Sequence, residues 1–411
     1  MSSSEQPILV LDPAGSDPHT EHQALYARGP ATRVDVLGVT AWSVSDPQLL
    51  KQLLTSPDVS KDARKHWPLF ADTVATWPLA LWIAVKNMFT AYGGDHRRLR
   101  RMIAPAFSSR RIQALQPAIE QIVTAILDDL GQRPAGQITD LREHLAYPLP
   151  IAAICQIMGV PQERQDGFRG VVDGVFDTTL TRDQATANTS ALYRSLDVLI
   201  EAKRAQPGDD MISLLIAARD HDGDGDGLTH AELRDSLVLM ISAGYETTVN
   251  AIDQSLVALL SDPGQLQHIR AGRANWNDVV EETLRAHPAV KHLPLRYALT
   301  DIPLPNGSTI RKGDAILASY AAANRHPDWH GPDADRFDIT RPSKEHLAFG
   351  YGVHFCLGAP LARLEVATAL RMIFDRFPDI ELAAPAEDLA PLPSLISNGH
   401  QTLPVRLQLA A

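Results

Sequence analysis

The sequence feature that most constrains this chain is a glycine-rich loop around one of its two cysteines. Residues 349–358 read Phe-Gly-Tyr-Gly-Val-His-Phe-Cys-Leu-Gly, and a helix-forming run follows from Leu361. A cysteine at a helix start faces free backbone amides and the positive end of the helix dipole, which favour its thiolate form. The glycines allow backbone angles and close approaches that a side chain would prevent. The loop therefore predicts a thiolate at Cys356, with Phe349 and Phe355 keeping the sulfur dry.

A single thiolate restricts the metal centres that the loop can hold. Tetrahedral zinc needs four protein ligands, or three and a water, which one cysteine does not supply. A haem needs only an axial ligand from the protein, because the porphyrin provides four nitrogens. The alternative is a buried cysteine in a glycine-rich turn. The second cysteine, Cys155, lies in an apolar run and is predicted to be a core residue, so a disulfide framework is not indicated.

The ten-residue pattern resembles the haem-binding signature of the cytochrome P450 family at each defining position. The resemblance implies that Cys356 is the proximal ligand of a haem b iron. It also implies that His354 reaches a haem propionate, and that Phe349 and Gly350 are among the cofactor contacts.

A second motif lies in a predicted long helix, residues 231–260. Its apolar centre leads into Ala243-Gly244-Tyr245-Glu246-Thr247-Thr248, where glycine, threonine and a carboxylate all disfavour a buried helix. Taken alone, this is explained by a packing glycine with polar residues turned outward. The motif resembles the oxygen-activation motif of the same family, however. That resemblance implies that Glu246 and Thr247 relay protons for the cleavage of dioxygen, and Ala243 and Gly244 leave room for a flat cofactor.

A third motif is Glu282-Thr283-Leu284-Arg285, in a predicted helix over residues 276–286. By itself it is an i,i+3 ion pair of the kind that often decorates a surface. It resembles the Glu-x-x-Arg motif of the family, with Arg336 before Phe337 as the third partner. The implied role is a buried network that braces the cysteine loop.

Cationic residues suited to haem propionates occur at three further places. His96 and Arg100 are four residues apart and share a predicted helix face, and Arg296 begins a predicted strand. All three match propionate-binding positions of the family. The remaining arginines near residues 97–101 and 110–111 are either a solvated face or a docking site for an acidic redox partner.

The fold predicted from the sequence is mainly α with a small β-rich region, in one domain over residues 1–411. Residues 46–241 show mostly helical spacing. Strands are predicted at residues 31–36 and 41–44, and between 295 and 317 around a turn at 305–307. The family resemblance covers essentially the whole chain and implies the cytochrome P450 fold.

Bulk properties exclude several function classes. A net charge of −11 argues against general nucleic-acid binding. No signal peptide and no run of roughly 20 apolar residues is present, so we expect a cytoplasmic protein without a membrane span. The acidic run 220–227 resembles a calcium loop, but Glu232 falls at position 13 or 11 rather than 12, and we expect an acidic surface loop instead.

The resemblance implies a monooxygenase that uses O2 and an apolar, mid-sized substrate. Residues 59–64, 76–82, 241–250 and 394–400 resemble the actinobacterial steroid and macrolide hydroxylases, and steroid hydroxylation is the leading hypothesis. No dinucleotide fingerprint is present, so electrons are expected from a ferredoxin and its reductase. A peroxide-fed enzyme and a haem protein that binds a ligand without turnover are the other hypotheses. Candidate pocket residues are Trp67, Trp77, Trp82, Met88, Phe89, Phe176, Met240, Leu293 and Ile396.

Overall fold

The computed structural model describes residues 7–134, 136–161, 165–208, 210–221 and 227–407. Most of these residues are helical, as the sequence predicts. The helices before the central one are α1 (Pro18–Tyr26), α2 (Pro47–Thr55), α3 (Ala63–His66), α4 (Phe70–Thr76), α5 (Leu81–Ala84), α6 (Gly93–Ile103), α7 (Ser109–Ala114), α8 (Gln116–Gly131), α9 (Pro148–Met158), α10 (Gln165–Phe176), α11 (Arg182–Ala205) and α12 (Met211–His221). The central helix and those after it are α13 (His230–Ser261), α14 (Pro263–Arg270), α15 (Trp276–Ala286), α16 (Tyr320–Asn324), α17 (Pro327–His330) and α18 (Ala359–Arg376).

The strands form a small β-rich region beside the helical body. They are β1 (Leu9–Val10), β2 (Ala31–Val36), β3 (Val39–Val44), β4 (Val59–Ser60), β5 (Ile138–Asp140), β6 (His292–Ala298), β7 (Ile302–Pro303), β8 (Thr309–Ile310), β9 (Ala315–Ser319), β10 (Glu381–Leu382) and β11 (Pro404–Arg406). A six-stranded sheet has the order β1-β2-β3-β9-β6-β4, and β10-β11-β5 and β7-β8 form smaller sheets. The mainly α prediction and the predicted strand positions are confirmed.

Helix α13 is the centre of the helical body and matches the predicted helix within one residue at each end. Its first turn is closed by a capping box, in which Thr229 accepts from the Glu232 amide and Glu232 accepts from the Thr229 amide. It packs against α9, α11, α15 and α18. Because neighbours surround it, most of its residues are buried, polar ones included.

A β-bulge in β6 decides which side chains this strand directs inward. Leu293 pairs with Ala318, but Arg296 pairs with Ile316, so β6 carries one extra residue against β9. Leu293 and Arg296 are three residues apart and would face opposite sides of a regular strand. With the bulge between them, both line the same cavity.

Further predictions concern a membrane span, the acidic run, the N-terminus and Cys155. None of the helices in the described ranges combines the length and apolarity that crossing a bilayer needs. Most of the acidic run 220–227, and residues 1–6 at the N-terminus, lie outside the described residues. Cys155 is buried in the main hydrophobic core as predicted, and burial raises the pKa of its thiol.

Candidate functional site

The cysteine loop folds as a tight turn against the start of α18. The Cys356 amide donates to the Phe349 carbonyl (2.9 Å), and the Phe355 amide donates to the Gly352 carbonyl (3.0 Å). Gly350 and Gly352 have φ values of 71° and 72°, a region that favours glycine. Gly358 has an ordinary φ of −78° and caps α18. It therefore needs no special backbone angle, although it lies close to the sulfur.

Two opposing effects act on the pKa of the Cys356 thiol. The backbone amides of Gly358 and Ala359 donate to the sulfur, and Arg100 and Arg363 place positive charge near it. Burial is the largest effect, however, and the pKa of the Cys356 thiol is raised overall. The amides at the helix start therefore favour the thiolate, as predicted, but they do not outweigh the desolvation of the sulfur. A metal ion held by Cys356 would supply the missing stabilisation, since coordination deprotonates a thiol.

Cys356 opens into an internal cavity between α13, α18 and the six-stranded sheet. The cavity has about 1560 Å³ of atom-free space, including its opening to solvent. Four residues predicted to contact the cofactor line it: Ala243 and Gly244 of α13, and Phe349 and Gly350 of the cysteine loop.

Basic side chains lie at one edge of this cavity, which we call the cationic edge after Arg100 and Arg296. Arg100, Arg296 and His354 line the cavity, and the His96 and His354 rings lie 4.1 Å apart between centroids. Arg100 Nη2 donates to the Phe355 carbonyl (2.7 Å), which ties α6 to the cysteine loop. The structure thus brings together residues that the sequence places up to 258 positions apart (354 − 96).

Two buried nitrogens at the cationic edge have no hydrogen-bond partner in the described part of the chain. They are His96 Nε2 and Arg296 Nε. Burial and the nearby arginines lower the pKa of His96 to about 4, so this imidazole is neutral at pH 7 and Nε2 is a donor in the tautomer that carries its proton there. Buried donors without acceptors are costly. Carboxylates at this edge would satisfy them, and a haem has two propionates, so the residues present fit a haem whose iron meets Cys356.

The acid and the alcohol of α13 point in different directions. Thr247 lines the cavity, and its hydroxyl donates to the Ala243 carbonyl (2.5 Å). Glu246 is buried away from the cavity, where its Oε1 accepts from Asn250 Nδ2 (3.0 Å) and lies 3.6 Å from Arg142 Nη2. Burial raises the pKa of Glu246 to about 7, although Arg142 lowers it. A carboxyl with that pKa can both give and take a proton near neutral pH.

Arg142 connects Glu246 to a second carboxylate in a mostly buried cluster. Arg142 Nη2 donates to Asn250 Oδ1 (2.9 Å), and its Nη1 lies 3.7 Å from Asp253 Oδ2. The same Asp253 oxygen lies 2.9 Å from the ring Nδ1 of His400. A side chain at Gly399 would overlap Asn250 Oδ1 at 2.3 Å. The backbone beside His400 is therefore packed tightly against this polar cluster.

The Glu-x-x-Arg motif forms the expected buried network with one correction. Glu282 and Arg285 are both fully buried and paired at 2.8 Å, and Arg285 also donates to the carbonyls of Ala334 and Arg336. The Arg336 side chain is 65% exposed and pairs with Asp338. Arg341 takes the third position instead, 3.5 Å from Glu282 Oε1. The prediction that Arg336 is the third partner is wrong, because only its backbone belongs to the network.

The candidate pocket residues divide into two groups. Met88, Phe89, Met240 and Leu293 line the cavity. The others pack in or against the main hydrophobic core, outside that lining: Trp67, Trp77, Trp82, Phe176 and Ile396. Their large apolar side chains give the same sequence signal whether they fill a core or a pocket.

Sequence reasoning missed four residues around the site. Tyr320 hydrogen-bonds Arg296, Arg341 completes the Glu282 network, and Arg142 holds Glu246. Lys61 lines the cavity next to the cationic edge. No local pattern separates Arg341 from Arg336, and the other three depend on contacts between distant segments.

Comparison with known proteins decides the family. The cytochrome P450 family model matches residues 276–388. The 2-hydroxy-5-methyl-1-naphthoate 7-hydroxylase of Streptomyces carzinostaticus is 40% identical, over 97% of each chain. The chain belongs to the cytochrome P450 family. It is therefore a haem-dependent monooxygenase, and the cofactor predicted from the Cys356 loop is confirmed at the level of the family.

Solved cytochrome P450 structures have the same fold. CYP154A1 from Streptomyces coelicolor A3(2) is 68% identical with a TM-score of 0.94, covering 97% of this chain and 100% of that one. A steroid-bound CYP154C4 from Streptomyces sp. ATCC 11861 is 36% identical with a TM-score of 0.94, covering 98% and 99%. The actinobacterial affinity inferred from the sequence is confirmed.

Proposed function

We propose that this cytochrome P450 hydroxylates a rigid, mainly apolar substrate of about steroid size, with Cys356 as the iron ligand. One observation carries the proposal: a single cavity joins the Cys356 sulfur, the cationic edge and Thr247 to a mostly apolar chamber. A haem bound there supplies activation of dioxygen and insertion of one oxygen atom into a C–H bond. The protein's contribution is to hold the cofactor, exclude water and control protons.

Each residue of the site has a distinct proposed role. The haem propionates would be held by His96, Arg100, Arg296 and His354. The donor groups of these side chains lie at the edge of the cavity. Thr247 presents its hydroxyl to the cavity and passes a proton onward. Glu246 supplies that proton. Its contacts with Asn250 and Arg142 hold the carboxyl on the side of α13 that faces away from the cavity.

The substrate chamber favours a polycyclic molecule. The chamber has an apolar lining formed by Met88, Phe89, Leu239, Met240 and Leu293. These side chains contact the substrate but do not orient its polar groups. The steroid bound to CYP154C4 and the naphthoate named for the S. carzinostaticus relative are both fused-ring compounds. Steroid hydroxylation is therefore the first candidate, with a macrolide as the alternative carried from the sequence.

Electron delivery is assigned to a ferredoxin and its reductase. Three arginines of α6 and α7 are exposed, Arg97, Arg110 and Arg111, and Arg100 of α6 contacts the cysteine loop. An acidic partner docked there would be attracted by complementary charge. Arg98, in contrast, pairs with Glu232 at the start of α13 and is not part of a solvated face.

A substrate screen with turnover tests this proposal. The ferric enzyme is titrated with steroid and macrolide panels while the haem spin state is followed, and each binder is then turned over with a surrogate ferredoxin and reductase. Steroids are expected to shift the spin state and to give hydroxylated products. Binding without product from any compound would instead support a ligand-binding protein, and product from macrolides alone would select the alternative.

A further inference from the structure

Lys61 is a buried cation in the cavity that the roles above do not use. It follows β4, whose Ser60 pairs with Tyr297 of β6, and so it lies beside the strand that carries Arg296. The Lys61 side chain lines the cavity, and the residue is only 3% exposed. Lysine is seldom buried to this extent without a charged partner. Its placement therefore calls for an explanation.

The contacts of the Lys61 ammonium leave it under-satisfied. Lys61 Nζ donates to the Pro294 carbonyl (3.0 Å), at the bulge of β6, and lies 3.8 Å from the centre of the Phe89 ring. An ammonium has three donor hydrogens. No carboxylate pairs with it in the described ranges. The neighbouring Asp62 carboxylate instead accepts from the Lys65 amide at the start of α3.

The charges around Lys61 also show a surplus of cation. Arg100 and Arg296 already provide two fixed positive charges for the two propionates of a haem. Burial and the charge of Arg296 lower the pKa of Lys61 well below its ordinary value, so its ammonium form is disfavoured until an anion lies beside it. A third carboxylate beside Lys61 would compensate its positive charge, because a buried ion pair needs both partners.

We propose that Lys61 binds a carboxylate within the cavity, the single acidic group of an otherwise apolar substrate. The inference rests on the proposed function and narrows its substrate to a polycyclic acid. Phe89 and Leu293, which line the cavity near Lys61 and Arg296, would contact the ring system. The ammonium would fix one end of the molecule, which is what a mostly apolar chamber otherwise lacks. The same chemistry could be met by a haem propionate, and the experiment separates the two sources.

A carboxylic acid and its ester, compared as ligands, test whether Lys61 binds the carboxylate of a substrate. The ferric holoenzyme is titrated with 1-naphthoate and with methyl 1-naphthoate, reading the haem spin-state change, for the wild type, Lys61→Met and Lys61→Arg. The wild type is expected to bind the acid more tightly than the ester. Lys61→Met is expected to weaken acid binding by roughly tenfold or more, with ester binding unchanged, because one partner of a desolvated charge pair is removed. Lys61→Arg keeps the preference, and the surface variant Lys65→Met leaves both affinities unchanged.

The rate of haem loss tests whether Lys61 instead binds a haem propionate. The rate of haem transfer from each holoenzyme to excess apomyoglobin is measured. Faster loss from Lys61→Met with unaltered acid preference would show that the carboxylate is a propionate. The proposal is overturned if the wild type shows no acid preference and Lys61→Met retains haem as the wild type does. Lys61→Gln replaces Lys61→Met if the latter does not fold. Neither assay needs an electron donor, so failed turnover does not affect the result.

Discussion

Glu246 and Thr247 are adjacent in sequence, yet only the threonine lies at the cavity. The helix turns successive side chains by about 100°, so an acid and an alcohol in sequence cannot both face the same ligand. The carboxyl is instead held by Asn250 and Arg142, with a pKa near 7. In the relay that we propose, the acid that supplies the proton and the alcohol that delivers it are therefore held apart, and two predictions follow at this scale.

Thr247→Ala is expected to uncouple oxygen consumption from hydroxylation. Removing a positioned proton donor typically costs about 10²–10⁴-fold in the step it serves, so the product formed per O2 should fall while peroxide release rises. The measurement is O2 uptake, peroxide and product in the same reaction. Thr247→Ser, which keeps the hydroxyl, should remain coupled. Equal coupling in the alanine variant and the wild type would remove Thr247 from the relay.

Glu246→Gln is expected to change how stability depends on pH. The folded-state pKa of Glu246, about 7, lies above its ordinary value of 4.5, so between these values the folded state holds more protons than the unfolded state. Wild-type stability should therefore fall relative to Glu246→Gln as the pH rises from about 5 to about 8, by at most ~1.4 kcal/mol per pH unit. Urea unfolding at a series of pH values measures this. A difference that does not vary with pH would contradict a raised pKa.

At the scale of elements, α15 is joined to the segment that leads into the cysteine loop. Glu282 accepts from the Asp338 amide (2.9 Å) and faces Arg341, while Arg285 donates to backbone carbonyls of the same segment. The helix thus fixes residues 334–341 by bonds to their main chain as well as to a side chain. The cysteine loop begins eight residues later.

Arg341→Ala and Arg336→Ala form a matched pair that tests this network. Arg341 is 8% exposed at its side chain, and breaking a buried pair typically costs about 3–5 kcal/mol. Arg336 is mostly exposed, and such pairs contribute about 0–1 kcal/mol. We therefore expect a large loss of stability, with faster haem loss, for Arg341→Ala alone. Thermal unfolding and haem transfer measure both effects, and similar losses in the two variants would favour the original assignment of Arg336.

Local sequence patterns predicted the helices and strands better than they predicted the contacts between them. The long helix, the helix of the Glu-x-x-Arg motif and the strands at residues 31–36 follow from apolar spacing and capping residues that lie close in sequence. Arg341 was missed because the arginine before Phe337 carries the same local signal. The bulge that brings Arg296 to the cavity depends on pairing with β9, which no local pattern records.

At the scale of the whole molecule, the site exists only where three distant parts meet. The Cys356 loop comes from the C-terminal part of the chain, Thr247 from the central helix, and the cationic edge from α6 and β6. The sequence predicted the chemistry of each part because glycine, cysteine and charged residues are constrained by what they bind. It did not predict Lys61 or Arg142, whose roles come from burial beside segments up to 233 and 111 residues away.

The central claim is that Cys356 holds the haem iron as a thiolate, and a carbon monoxide difference spectrum of the reduced protein tests it most directly. The wild type is expected to show the red-shifted Soret band of thiolate ligation, and Cys356→Ala is expected to lose it. A wild-type spectrum without the red shift, or a Cys356→Ala spectrum identical to that of the wild type, would contradict the assignment.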